Sequence, residues 1–402
     1  MGHRAVNDFT SELKNRLDAV REQKLFRELR RVDSAQGPRI VIGGQTFLNF
    51  SSNDYLGLAN DPILKEAAIK AIERFGTGSG ASRLICGSLA PFHQLEETLA
   101  DFKRTEAALT FSTGYAAAIG TICALLGKDD VIILDKLVHA SIVDAAKLSG
   151  AKLRVFAHND LNDLEDKLEW AKSKSCHPSP ATCHALIVTE SIFSMDGDAA
   201  PLKEMVALKE KHGACLMVDE AHATGLYGKN RRGLAEELGV SDQIEIQMGT
   251  LGKALGASGG YICGSRLLID FLVNRARSFI FSTAPVPAAA AGATAAVQFV
   301  QSSEGERRQK HLWTRAAELQ SQIADRESQI PGAIVPVHVG DESKAVDAAA
   351  MLREQNIFVP AIRYPTVARG KARLRVTLTA AHTAEEVSQV AIVLNEIVNH
   401  QS

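Results

Sequence analysis

Seven short apolar runs, set between helix-like segments from about residue 62 to 285, constrain this chain more than any other feature. They read "AALTF", "DVIIL", "KLRVFA", "HALIVT", "ACLMV", "IEIQMG" and "GGYIC". Near-continuous apolar runs of that length need cover on both faces, and a mostly parallel sheet clad in helices provides it. The segment therefore predicts an α/β domain. Ahead of it, residues 6–31 predict an amphipathic, basic helix, and "RIVIGGQTFLNF" predicts a hairpin turning at Gly43-Gly44. Behind it come two long helices to about residue 327. Short strands ("AIVPVHV", "IFVPAI", "ARLRVTL") then alternate with helices, as in a smaller α+β domain. The expected division is 1–60 for the helix and hairpin, 61–290 for the large domain and 291–402 for the C-terminal domain.

Composition narrows the partners. The 402 residues carry a formal charge of −2, so no basic excess argues for nucleic acid and no charge imbalance for a membrane surface. A small-molecule partner is the expectation. The start, "MGHRAVNDFTSELKNR", is too charged for a signal peptide, and a cytoplasmic location follows. "APVPAAAAGATAAVQFV" is Ala-rich and shorter than the roughly 20 strongly apolar residues a membrane span needs, so it predicts a buried helix. Six scattered cysteines show no disulfide spacing, and reduced thiols are expected. Cys176-His177 and Cys183-His184 pair two zinc-ligating residue types, but their spacing is not that of a short zinc knuckle. No metal is expected.

Ligands of open α/β sheets lie beyond the carboxyl ends of the strands, so the residue that follows each run matters most. After "AALTF" comes Thr113-Gly114-Tyr115, a glycine turn opening onto a helix N-terminus, which suits an anion. His139 follows "DVIIL"; Glu190 and Ser194 follow "HALIVT"; Asp219, Glu220 and His222 follow "ACLMV"; Thr250 and Lys253 follow "IEIQMG". Singly, each has an ordinary structural use as a turn, a cap or a loop hydroxyl. Lys253 sits in "GTLGKALGASGGY" among five glycines, where it could be a solvated turn residue, a phosphate's counter-charge or a reactive amine. "GTLGK" lacks the glycine spacing and the Ser/Thr of a Walker loop. "GTGSGAS" lacks the dinucleotide spacing and follows a helix. Pyridoxal 5′-phosphate (PLP) would use the whole set: an aldehyde for the amine, a phosphate for the helix N-terminus, a ring nitrogen for the carboxylate and a flat ring to stack upon.

These stretches, with "NFSSNDYLGL", "GTGSGASRLICGS", "TESIFSMDGD", "MVDEAHATGLYG" and "RLRVTLTAAHT", resemble the α-oxoamine synthases over nearly the whole chain. Those are PLP enzymes of the aspartate-aminotransferase-like fold (fold type I) that condense an amino acid with an acyl thioester and release CO₂. The resemblance implies that Lys253 bonds the cofactor's aldehyde and then removes the Cα proton. It implies that Asp219 pairs with the ring nitrogen, that His139 stacks on the ring, and that His222 and Ser194 bond its phenolic oxygen. Gly114, Tyr115 and Thr250 would hold the phosphate, with Thr283 reaching a neighbouring subunit's phosphate in a homodimer. Arg375 would grip the amino-acid carboxylate with Asn53 beside it, Glu190 would lie near the reacting centre, and Arg27, in the first helix, would meet the acyl substrate. Within the family, "NFSSNDYLGL", "FAHND", "FSTAP" and "AIRYPTVARGKARLRVTLTAAH" most resemble members that join L-alanine to a pimeloyl thioester, on CoA or a carrier protein. Glycine with an acetyl thioester is the competing pair. Tyr364 and Ala368 stand where prolines are expected for the first pair. A non-catalytic subunit could dispense with Lys253 and Asp219, yet both are present.

Overall fold

The computed structural model describes residues 2–23, 25–174, 185–323 and 332–399. All seven apolar runs form strands: β3 (Ala107–Phe111), β4 (Val131–Asp135), β5 (Lys152–Phe156), β6 (Leu186–Glu190), β7 (Cys215–Asp219), β8 (Ile246–Thr250) and β9 (Gly260–Gly264). They follow β1 (Arg39–Ile42) and β2 (Gln45–Asn49), the hairpin that turns at Gly43-Gly44 with both glycines at positive φ. The large sheet has the order β3-β9-β8-β7-β6-β4-β5, with only β9 running antiparallel to its neighbours. Every residue of β3, β4 and β6 is buried, as two-sided cover demands. Alternate residues feed two cores: Ile133, Ile187, Leu216 and Val218 enter one, and Ile132, Leu134, Val188 and Met217 the other.

The Ala-rich stretch is the buried helix Pro287–Gln301, packed on helices Pro62–Phe75 and Ala90–Lys103. Small side chains let its backbone come close enough for an added Cβ on Gly292 to touch the Leu64 carbonyl oxygen at 3.7 Å. Helix Ser303–Gln322 then leads to the C-terminal part. There β10 (Ile334–Gly340), β12 (Ala361–Ile362) and β13 (Ala372–Thr377) form an antiparallel sheet in the order β10-β13-β12.

Two expectations need correction. "IFVPAI" is not one strand: Pro360 lacks a backbone donor, and the run splits into β11 (Ile357–Phe358), which pairs with β2, and β12, which pairs with β13. The N-terminal hairpin thus shares a sheet with a C-terminal strand. The first helix, Gly2–Glu22, also stops short of residue 31. Beyond it tertiary contacts hold the chain extended, with Arg363 donating to the Phe26 carbonyl at 3.0 Å and Val32 bridging to Ile42. Arg27 therefore lies outside the helix, exposed, 3.4 Å from the Thr366 hydroxyl.

Candidate active site

The strands β3, β4, β6, β7 and β8 are mutually parallel, so their carboxyl ends share one edge of the sheet. A cavity of ≈ 110 Å³ opens there, and Gly114, Tyr115, His139, Glu190, Asp219, His222, Thr250 and Lys253 all line it. Register explains the convergence. Glu190 and Asp219 are cross-strand partners at the ends of β6 and β7, Asp219 lies opposite Met248 of β8, and Lys253 follows three residues after Thr250.

The anion end is built by close backbone approach. Thr113 caps helix Gly114–Leu125, its hydroxyl accepting from the Ala116 amide. A Cβ on Gly114 would stand 2.5 Å from Thr250 Cγ2, and one on Gly260 would stand 2.6 Å from the Gly114 backbone. Only glycine fits at either position. The amides that open this helix are therefore free of side-chain cover beside the Thr250 hydroxyl.

The other end holds the ionisable groups. Lys253 Nζ donates to Thr250 Oγ1 at 3.3 Å, and burial holds its amine below the ordinary lysine value, against the pull of Asp219 and Glu190. Burial likewise raises the Asp219 carboxyl, opposed by Lys253 and by the Ala221 amide, which donates to Asp219 Oδ1 at 2.9 Å. Glu190 is raised well above a normal carboxylate by burial and then by Asp219; its Oε1 has no hydrogen-bond partner among the described residues. His139 caps its helix, Nδ1 accepting from the Ser141 amide at 3.2 Å, and burial lowers its pKa. Its role as a cap leaves the ring in the cavity wall.

His222 is held from behind by Tyr55, a residue given no role from sequence. The Tyr55 hydroxyl lies 2.7 Å from His222 Nδ1, 3.2 Å from Asn53 Oδ1 and 3.4 Å from Arg375 Nη2. Burial keeps His222 far below the usual histidine range, hence neutral. Arg375 also donates to Asn53 Oδ1 at 3.0 Å and to the Ser194 carbonyl. Asn53 and Arg375 thus stand two hydrogen bonds behind the cavity lining, with Tyr55 between them and His222. "NDYLGL" signalled Tyr55 only as a motif; Asn53 is its near neighbour, but His222 and Arg375 come from segments far away in sequence.

Not every expected residue arrives. Ser194 is not among the cavity-lining residues; its backbone serves instead, the carbonyl toward Arg375 and the amide toward Glu190. Thr283 is exposed and bridges to Ser82, and Arg27 is on the Thr366 loop. Cys176, His177, Cys183 and His184 lie outside the described residues. Among those described, no group of three or more His, Cys, Asp or Glu side chains is arranged to hold a metal ion, and no helix is long and apolar enough to cross a membrane.

The sequence matches the aminotransferase class I and II family over residues 45–394. It is 48% identical to the 8-amino-7-oxononanoate synthase of Anaeromyxobacter dehalogenans over 92% of this chain and 91% of that one. It is 47% identical to the corresponding synthase of Geotalea daltonii over 93% and 94%. Among solved structures, a serine palmitoyltransferase from S. paucimobilis with PLP–myriocin bound superposes with a TM-score of 0.88 at 29% identity, over 97% of both chains. An 8-amino-7-oxononanoate synthase from Francisella tularensis gives a TM-score of 0.74 at 27% identity, over 88% of this chain and 98% of that one.

Proposed function

Because the chain belongs to the class I and II aminotransferase family and is a PLP-dependent acyltransferase of fold type I, we propose that it joins L-alanine to a pimeloyl thioester, giving 8-amino-7-oxononanoate, CO₂ and a free thiol. One observation carries the reading: an amine, a paired carboxylate, two imidazoles and a helix N-terminus cleared by glycine all face one cavity. That donor set fits PLP. Its phosphate matches the Gly114 and Tyr115 amides with Thr250, and its ring nitrogen matches Asp219. The orphaned Glu190 Oε1 is a buried oxygen awaiting a partner at the same place.

Bound PLP supplies an aldehyde that bonds an amine and a ring that takes up electrons when a bond to Cα breaks. The protein's residues do the rest. Asp219, raised by burial, would ionise readily beside a protonated ring nitrogen and keep that proton in place. Lys253 would bond the aldehyde and, as a free amine, would take the Cα proton; its lowered pKa leaves more free base. Arg375, planar and buried, holds the substrate carboxylate until CO₂ leaves, with Asn53 orienting the guanidinium. His139 would support the ring face, and neutral His222 would donate from Nε2 to the ring oxygen. Glu190, whose carboxyl burial raises well above the ordinary value, would stand near the reacting centre. We assign Thr283 to a neighbouring subunit's phosphate in a homodimer and Arg27 to the acyl substrate, in a cytoplasmic enzyme. Support for these last assignments is the match of motifs and relatives.

A paired thiol-release assay tests the reading, with L-alanine and pimeloyl-CoA in one cell and glycine and acetyl-CoA in the other. The first pair should turn over at least tenfold faster, a preference of about 1.4 kcal/mol in the barrier. Preference for the second pair would replace the substrates and keep the site.

A further inference from the structure

The stretch "FAHND" finds no use in the chemistry above, yet its histidine has the most specific surroundings outside the cavity. His158 follows β5. Its Nδ1 lies 2.9 Å from Asp135 Oδ1 at the end of β4, and its Nε2 lies 2.7 Å from Asp198 Oδ2. The edge of the Phe193 ring closes on it, with centroids 4.4 Å apart at 88°. Asn159, held at φ 56°, adds two bonds to the same strut: its side-chain amide donates to Asp198 Oδ2 at 3.0 Å and to the Ala199 carbonyl at 3.1 Å.

Asp198 closes a small loop over residues 192–199, pinned at its base by the Ile192–Ala199 bridge and a 3.0 Å bond from the Phe193 amide to the Asp198 carbonyl. The tip of that loop meets the substrate-side arginines. Arg375 Nε donates to the Ser194 carbonyl; Arg373 donates to the Asp196 carboxylate and, at 3.3 Å, to the Met195 carbonyl. The Ser194 amide also bonds Glu190. A strut at the base thus sets a tip that orients the guanidinium of Arg375.

We propose that His158, clamped as a doubly protonated ring between Asp135 and Asp198, is a positioning residue for the amino-acid carboxylate site. It fixes the 192–199 loop and, through the Ser194 carbonyl, the plane of Arg375. The inference rests on the reading that Arg375 binds the carboxylate. Two carboxylates facing two ring nitrogens require two N–H donors, which only the imidazolium supplies. Against the pull of burial, bonds to Asp135 and Asp198 raise the ring to about 10. Asp135 from β4 and Asp198 from the loop are the charged groups acting on it.

The test is titration of the PLP-loaded enzyme with L-alanine and, separately, glycine, without acyl donor, following the cofactor's absorbance. His158→Gln and Asp198→Asn should each weaken amino-acid binding by roughly tenfold or more, the loss of one charge-assisted bond in an otherwise intact site. KM for the acyl donor should stay within about twofold, since the strut reaches only the carboxylate side. For Asp198→Asn, the ratio of variant to wild-type Kd should grow from pH 6 to pH 9, because one carboxylate fewer lets the ring lose its charge sooner. Nitrogen-15 NMR should find both ring nitrogens of wild-type His158 protonated at pH 8.5. Unchanged amino-acid affinity in the folded variants, a parallel rise in both KM values, a pH-independent ratio, or a neutral wild-type ring would each overturn the proposal. Arg375→Lys separates the two layers. If it binds amino acid like the wild type, the carboxylate assignment itself fails; if it alone weakens binding, only the strut fails.

Discussion

Tyr55→Phe tests how the site is held from behind. The hydroxyl is fully buried and has three neighbours at 2.7, 3.2 and 3.4 Å: His222 Nδ1, Asn53 Oδ1 and Arg375 Nη2. It carries one proton. Asn53 Oδ1 already accepts from Arg375, so the proton goes to the shortest contact, and His222 is left with Nε2–H toward the cavity. Removing the hydroxyl costs Asn53 and Arg375 little, since they keep each other and Arg375 keeps the Ser194 carbonyl. His222 Nδ1 loses its partner inside a buried site. A buried polar group stripped of its partner costs about 1–3 kcal/mol, so the variant should be destabilised by about 2 kcal/mol. Urea unfolding of the apoprotein measures it, with an unchanged m-value as the check that compactness is preserved. The decisive form is a double-mutant cycle with His222→Phe. In that background nothing needs the proton, and Tyr55→Phe should cost less by over 1 kcal/mol. Equal costs in the two backgrounds, within about 0.5 kcal/mol, would refute the assignment of the proton to His222.

Three further outcomes follow from the same geometry. Gly114→Ala drives a methyl to 2.5 Å from Thr250 Cγ2; at about 1–3 kcal/mol for overpacking, PLP affinity by equilibrium dialysis should fall roughly tenfold, and Thr250→Ser in addition should restore most of it. Lys253→Ala should abolish turnover and leave no borohydride-fixable bond between protein and PLP by mass spectrometry; retained steady-state activity would remove Lys253 from the chemistry. His382, stacked on Phe50 at 4.1 Å, is pushed down to about 4 by burial. A histidine whose folded pKa lies below its unfolded value of about 6.5 contributes stability above that value that is lost as pH falls through the folded pKa. Stability should therefore drop by up to about 3 kcal/mol between pH 6.5 and pH 4, and His382→Asn should flatten that slope in urea midpoints read across the range.

The chain's seven apolar runs became seven strands, and for all but the edge strand β5 the reason is that burial on both faces leaves its mark locally, as composition without alternation. The hairpin at Gly43-Gly44 was equally legible, since a two-residue turn at positive φ leaves few choices of residue. Lys253, Asp219, His139 and His222 could be picked out because each stands at the carboxyl end of a strand or a few residues beyond it, and parallel strands bring such residues to one edge.

Contacts between distant segments carried no such mark. The helical pattern of residues 6–31 said nothing of the Arg363 and Thr366 contacts that hold residues 26 and 27 outside the helix. "IFVPAI" did not disclose that its two halves face different sheets. Tyr55 gains its importance from Asn53, His222 and Arg375, the last two 167 and 320 residues away along the chain. Ser194 was chosen for its hydroxyl, yet its backbone is what meets Arg375 and Glu190. The sequence by itself determined the order of strands and helices and the residues that follow each strand, because hydrophobic cover and turn chemistry act over a few neighbouring positions. Which of those residues are braced, by whom and in what protonation state was decided only by the tertiary structure, because hydrogen bonding and burial depend on atoms brought together by folding.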